Sequence, residues 1–186
     1  MALTATIYKA TLQIADMDRS YYRDHAVTIA RHPTETDERV MVRLLAYALH
    51  ADDGLAFGRG IGAEDEPALW KKDLTGRIEQ WTEVGLPDEK ILRQACGRAD
   101  HVLVYAYGGR SAAQWWDKHQ TALSRLTNLT VMNLPWEGTR ALATLASPNI
   151  TLQCTVQEGQ VWLANGSNNV QLEMTVLKPA DGVTRG

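Results

Sequence analysis

Residues 77–107 read Arg-Ile-Glu-Gln-Trp-Thr-Glu-Val-Gly-Leu-Pro-Asp-Glu-Lys-Ile-Leu-Arg-Gln-Ala-Cys-Gly-Arg-Ala-Asp-His-Val-Leu-Val-Tyr-Ala-Tyr. Arg77 to Val84 alternates side chains between two faces as a strand does, and Asp88 to Arg98 has helical spacing with Gly97 near its end. His101 to Tyr107 is a nearly continuous apolar run, the pattern of a strand buried on both faces. Ser111 with Gln114 forms a capping box that opens a further helix through about Leu126, and Leu129–Leu134 is the next strand. Strand, helix, strand, helix, strand from residue 77 to 134 implies parallel pairing through right-handed crossovers, and hence an α/β protein.

Ahead of this unit, residues 68–74 and 77–84 read as two strands joined by the Thr75-Gly76 turn, after a short strand over 55–61. Thr34 is expected to cap a helix with Asp37 as its reciprocal partner, and Met41, Leu45, Ala48 and Leu49 supply its apolar stripe. Residues 3–15 and, more weakly, 24–31 alternate as a hairpin. Beyond residue 134, Thr139–Ala146 reads as a short helix. Ile150–Gln157 and Gln160–Ala164 flank the hairpin turn Glu158-Gly159, and Val170–Leu177 is one last strand. The expected architecture is a single domain over 1–186. A mixed sheet forms a core at about 33–134, with antiparallel hairpins from the β-rich segments 1–32 and 150–178.

Hydrophobic residues make up 45% and charged residues 22% of the chain, which suits a globular protein with a sizeable core. A net charge of -3 supplies no global attraction to nucleic acid, so a nucleic-acid partner would need a local patch. Arg31, Arg39, Arg43 and Arg59 are its candidates. Cys96 and Cys154 lie far apart in apolar settings and read as reduced thiols, consistent with a cytoplasmic protein. No export signal is recognised, and no span approaches the ~18 apolar residues of a membrane helix. The five histidines show no zinc spacing.

The chemistry concentrates in carboxylates. If the strands around Thr75-Gly76 pair, Glu66 enters one strand where Glu83 leaves the other, and two such carboxylates suit Mg2+ or Mn2+. Glu38 lies three residues before Met41 and seven before Leu45, toward the buried side of its helix. A lone buried carboxylate requires a partner there, while partial exposure at the helix amino terminus is the alternative. Glu79 reads as a surface ion pair with Arg77. For Glu83, at a strand-to-helix turn, a structural and a functional role both stay open. Trp115-Trp116 reads as core and Tyr107-Gly108-Gly109-Arg110-Ser111 as an ordinary turn, with an anion cradle as the sharper alternative.

Several motifs occur together in order: Ala-Thr-Ile-Tyr-Lys near the start, Ala-Arg-His-Pro-Thr-Glu-Thr-Asp-Glu-Arg at 30–39, Asp-Glu-Pro-Ala-Leu-Trp at 65–70, Gly-Leu-Pro-Asp-Glu at 85–89, Trp115-Trp116 and the closing Thr-Leu-Gln-Cys-Thr-Val-Gln-Glu-Gly-Gln-Val-Trp-Leu. Together they resemble the bacterial YaeQ family over nearly the whole chain. The resemblance implies a fold related to the PD-(D/E)XK nucleases and a metal-dependent cleavage of nucleic-acid phosphodiesters. Carried over, Glu38 matches the helix acid, Glu66 approximates the first strand acid, and Glu83 matches the acid of Glu-x-Lys. Glu66-Pro67 reverses the motif order, and Gly85 stands where the motif has lysine, so Lys90 or Lys72 would have to supply that cation. Two rivals follow: a catalytically inactive nucleic-acid- or protein-binding module on the same fold, and a nucleotide- or small-anion-binding protein using the Gly108-Gly109 turn.

Overall fold

The computed structural model describes residues 4–59, 61 and 65–182. The first hairpin is β1 (Thr6–Asp16) with β2 (Tyr21–Arg31). Its alternation is that of a one-sided sheet: Tyr8, Ala10, Leu12 and Ile14 are buried while Ile7, Lys9 and Gln13 face out. The Asp16 carboxylate closes the turn by accepting from the backbone N–H and Nε of Arg19 at 3.1 and 2.7 Å.

Helix α1 (Asp37–Leu49) is buried from Val40 through Leu49, as expected of a helix apolar on nearly every side. Its cap is Thr36 rather than the expected Thr34, because Asp37 is already the first helical residue and cannot sit three positions into the helix. Thr36 Oγ1 accepts from Arg39 N at 3.1 Å, and Thr34 bonds the His32 ring instead. Strand β3 (Leu55–Phe57) is shorter than the expected 55–61. A side chain at Gly58 would come within 1.9 Å of Pro67 O, so the chain passes tightly against Pro67 and leaves the sheet there.

β4 (Leu69–Lys72) and β5 (Ile78–Val84) pair antiparallel with Leu69 opposite Thr82. Their turn is held by Asp73 Oδ1, which accepts from Thr75 and from Arg77 N, with Gly76 at φ +89°. The unit β5, α2 (Glu89–Arg98), β6 (Ala99–Ala106), α3 (Arg110–Leu123), β7 (Leu129–Asn133) forms the expected parallel core. Leu92 and Ala95 of α2 and Trp115 and Leu123 of α3 cover one face of this sheet, against Ile78, Trp81, Val102 and Leu129. The other face, with Leu69, Val84 and Tyr105, packs into a larger core around α1.

The last third contains α4 (Trp136–Ala143), β8 (Asn149–Gln157), β9 (Gln160–Ala164), β10 (Asn169–Glu173) and β11 (Thr175–Lys178). Two corrections arise here. The terminal segments are not separate hairpins: β1 and β8 pair in parallel, Leu12 opposite Leu152, giving a second, five-stranded sheet of order β10-β9-β8-β1-β2. Two isolated hairpins would leave four open edges, and pairing β1 with β8 leaves only β10 and β2 at the edges of one larger sheet. Nor is Val170–Leu177 one strand. Glu173 pairs with Gln160, where β9 begins, so β10 runs out of partner, and the chain crosses at Met174 to pair as β11 with the open edge of β7. The first sheet is therefore six-stranded, in the order β11-β7-β6-β5-β4-β3. Among the described residues no helix is long and apolar enough to cross a membrane.

Candidate functional site

The parallel strands β5, β6 and β7 end on the same side, and the first turn of α1 meets them there. Gly85, at φ +93°, donates its N–H to Tyr105 O at 2.9 Å and turns the chain out of the sheet. Arg39 of α1 donates from Nη1 to Val84 O at 3.1 Å. A Cβ at residue 85 would stand 3.9 Å from that Nη1, in ordinary contact, so the positive φ rather than the guanidinium requires glycine there. Arg39 Nε lies 3.5 Å from Glu35 Oε1 and is buried without a hydrogen bond, although 22% of the side chain remains exposed. This Nε is thus held in an ion pair with Glu35 that lacks hydrogen-bond geometry, and the exposed part of the side chain lies elsewhere on the guanidinium.

Besides Glu35, Glu83 and Tyr107 feel its charge, and Glu38 lies near Tyr107. Glu83 is half-buried; burial pushes its carboxyl above the ordinary glutamate range, while the hydrogen bond from Trp81 Nε1 at 2.9 Å and the charge of Arg39 pull it back. Burial likewise raises the Tyr107 phenol, against Arg39 and with the carboxylates of Glu38 and Glu35. Glu38 Oε1 accepts from Thr139 Oγ1 at 2.9 Å, which ties α1 to α4. Beneath them lies an ion pair that sequence reasoning missed. Arg43, 1% exposed, donates from Nε and Nη2 to the two carboxylate oxygens of Glu35 at 2.7 Å each, and from Nη2 to Ala30 O at 2.9 Å. An arginine inside an otherwise apolar helix was the available signal, since a buried guanidinium demands a carboxylate.

The expected residues are distributed as follows. Glu66 and Glu83 do come from the same end of the β4–β5 hairpin, one preceding Leu69 and the other following Thr82. They have different partners: Glu66 accepts from the backbone N–H and Nε of Arg59 at 2.8 and 2.9 Å, and Glu83 from Trp81. Among the described residues no group of three or more His, Cys, Asp or Glu side chains is arranged to hold a metal ion. As arranged, with both Glu66 oxygens taken by Arg59, these donors do not fit Mg2+ or Mn2+. Lys90 is exposed in the first turn of α2, and Lys72 stacks over Trp70 at 3.7 Å. The arginines expected to form a basic patch are each paired within the chain: Arg43 is internal as described, Arg31 pairs with Tyr8 and Asp37, and the exposed Arg59 pairs with Glu66. Arg77 pairs with Asp100 and Glu79 with Lys71, replacing the expected Arg77–Glu79 pair, because the neighbouring strands present those partners directly. Trp115 is core, its indole donating to Pro87 O at 2.9 Å.

Two mixed sheets with a buried central helix and a polar corner at the carboxyl ends of three parallel strands define a particular class of α/β protein, one seen in solved structures. The YaeQ protein of Xanthomonas axonopodis pv. citri superposes with a TM-score of 0.92 at 46% identity, covering 94% of this chain and 99% of that one. The YaeQ protein of Pseudomonas syringae does so with a TM-score of 0.90 at 36% identity, over 96% and 98%. The family model described as YaeQ protein matches residues 1–174. YaeQ of Salmonella typhi is 45% identical and that of Escherichia coli K12 43% identical, each over 175 residues, 94% of this chain and 97% of the relative. The chain belongs to the YaeQ family.

Proposed function

We propose that this protein binds the phosphate backbone of nucleic acid at the carboxyl ends of β5 and β6, on a scaffold related to the PD-(D/E)XK nucleases, with Arg39 as the central phosphate-binding group. The observation that carries the reading is the state of Arg39. Its guanidinium is oriented by Val84 O and by an ion pair to Glu35, and 22% of the side chain stays exposed at the strand ends. A planar, partly exposed guanidinium matches a phosphate. The three candidate acids Glu38, Glu66 and Glu83 are each already engaged by a protein donor, which favours binding over hydrolysis.

The test measures fluorescence anisotropy of labelled single-stranded and duplex oligonucleotides in the presence of a chelator. Wild type binds, and Arg39→Gln weakens binding by about tenfold and lowers the salt slope by about one unit. Equal binding by wild type and an Arg39→Gln variant of unchanged circular dichroism, or no binding by wild type, ends the proposal.

A second reading, metal-dependent phosphodiester hydrolysis with Mg2+ or Mn2+, is favoured by one feature: Glu83 is a half-buried acid at the end of β5, beside the helix that bears Glu38. It requires Arg59 to release Glu66. Cleavage of an oligonucleotide that appears with Mn2+ and disappears in both Glu83→Gln and Glu66→Gln would establish it; intact oligonucleotide under every divalent ion leaves the binding reading alone.

A further inference from the structure

The five-stranded sheet is covered on one face. Tyr8, Leu12, Leu152, Leu163 and Leu172 turn into the core around α1, and Gly138 of α4 lies against Leu172 on that same side. Helices α2 and α3 pack on the other sheet. Among the described residues no helix lies over the outward face.

The pairing register lays that face out in rows that cross all five strands. From β2 to β10 one row reads Tyr22, Ala15, Thr155, Trp162, Gln171, and the next reads Asp24, Gln13, Gln153, Ala164, Asn169. Charge is scarce here: of the outward strand positions only Lys9, Asp24 and Glu173 are charged, and amides, threonine and alanine fill most of the rest. Tyr22 has 64% of its surface in water, Ile7 has 51%, and Trp162 is half-buried. A surface left to solvent carries more charge than this, whereas few charges and uncovered aromatics are the composition of an interface core.

The relief of the face selects the occupant. An open hollow of about 540 Å³ lies over Ala15, walled by Tyr22 and Asp24 on one side and by Gln153 and Thr155 on the other. In the same row, two strands away, is the Trp162 indole. A half-turn about an axis along β8 lays the face on a second copy of itself, with β8 over β8, β9 over β1 and β10 over β2. Trp162 of each copy then meets the hollow at Ala15 of the other, and Gln13 meets Ala164. Large side chains face small ones in both directions, as a contact that uses one patch twice requires. Five strands ~4.8 Å apart, with about five residues each rising ~3.3 Å, give roughly 400 Å² in projection per copy, and side-chain relief brings the pair to the ~1,000 Å² at which specific interfaces begin.

We propose that this protein forms a two-fold dimer through the outward face of its five-stranded sheet, with Trp162 of each copy seated over Ala15 of the other. The proposal is independent of the Arg39 reading, which concerns the ends of the other sheet.

Sedimentation velocity of the full chain over about 1 to 100 µM tests it. Wild type is expected to approach twice the mass of the chain at the upper end and to dissociate on dilution. Because β8 lies on the axis, Gln153 faces its own copy, and a charge placed there repels itself. Gln153→Glu and Gln153→Lys are each expected to raise the dissociation constant at least about tenfold, while an equimolar mixture of the two regains the wild-type dimer. Trp162→Ala weakens association by a similar factor. Gln153 is exposed, so both charge variants keep the circular dichroism of wild type. A wild type that is monomeric throughout overturns the proposal and leaves the face to solvent or to a partner of another kind. A dimer indifferent to charge at Gln153, or one that the mixture does not restore, uses another surface and overturns it equally. Unchanged association of Trp162→Ala overturns the stated packing.

Discussion

At the scale of single residues, the site owes its form to what is missing as much as to what is present. Gly85 and Gly109 supply backbone conformations with positive φ, and at Gly109 the missing side chain also leaves the space that Trp136 occupies. A different residue, His50 after α1, sets a pH dependence. Its ring is hydrogen-bonded to Tyr105 Oη at 2.5 Å, and burial, helped by the charge of Arg19, lowers its pKa to about 4 while Asp16 opposes. The folded state thus prefers neutral imidazole, and an unfolded chain binds the proton more readily. The resulting stability is full above the unfolded value of ~6.5 and is lost as pH falls toward about 4, at most of order 3 kcal/mol. Urea titrations across that window are expected to show wild type losing stability on acidification, and His50→Gln losing distinctly less; parallel curves would contradict it. None of this was legible in the sequence, where His50 is one of several histidines without spacing. Arg39 was legible only as one of four scattered arginines, since its orientation depends on the carbonyl of Val84, 45 residues away.

Elements were read more successfully than residues because their signals are local. The Glu158-Gly159 turn was identifiable from two residues, and both adopt positive φ, 52° and 74°, as a tight hairpin between twisted strands demands. The parallel unit from β5 to β7 followed from period alone. Caps proved harder: both Thr34 and Thr36 satisfy the composition of a helix start, and only the observed bond from Arg39 N chooses between them. The seating of α4 carries its own prediction. At Gly138 a methyl group has no space against Leu172 and Pro135, so Gly138→Ala is expected to cost about 1–3 kcal/mol despite the higher helix propensity of alanine. Chemical denaturation measures this. A gain in stability would show that α4 can shift away from β10.

For the molecule as a whole, the decisive feature is the crossing at Met174 that makes one segment an edge strand of both sheets. Lys178, 7% exposed, anchors the far end by donating from Nζ to Leu129 O at 2.9 Å and to Pro179 O at 3.1 Å, and Leu177 packs against the α2/α3 core. A chain ending at Glu173 would keep the five-stranded sheet and lose this clasp. It is expected to be less stable by at least ~2 kcal/mol, the scale of one lost aliphatic burial, and to self-associate with rising concentration through the open edge of β7. Urea midpoints and light scattering test both outcomes; an unchanged midpoint would mean that β11 is dispensable.

Periodicity, turn chemistry and the ordered motifs of residues 30–89 were enough, without coordinates, to place this chain in the YaeQ family and to lay out its parallel core, because those features depend on neighbours a few positions apart. The union of the terminal strands in a second sheet, the transfer of β11 to the first, and the partners taken by Glu38, Glu66 and Glu83 were decided by tertiary structure. The Glu38–Thr139 bond spans 101 residues. Such pairings are selected by which edges and buried charges remain unsatisfied once the layers pack, and local composition does not carry that information.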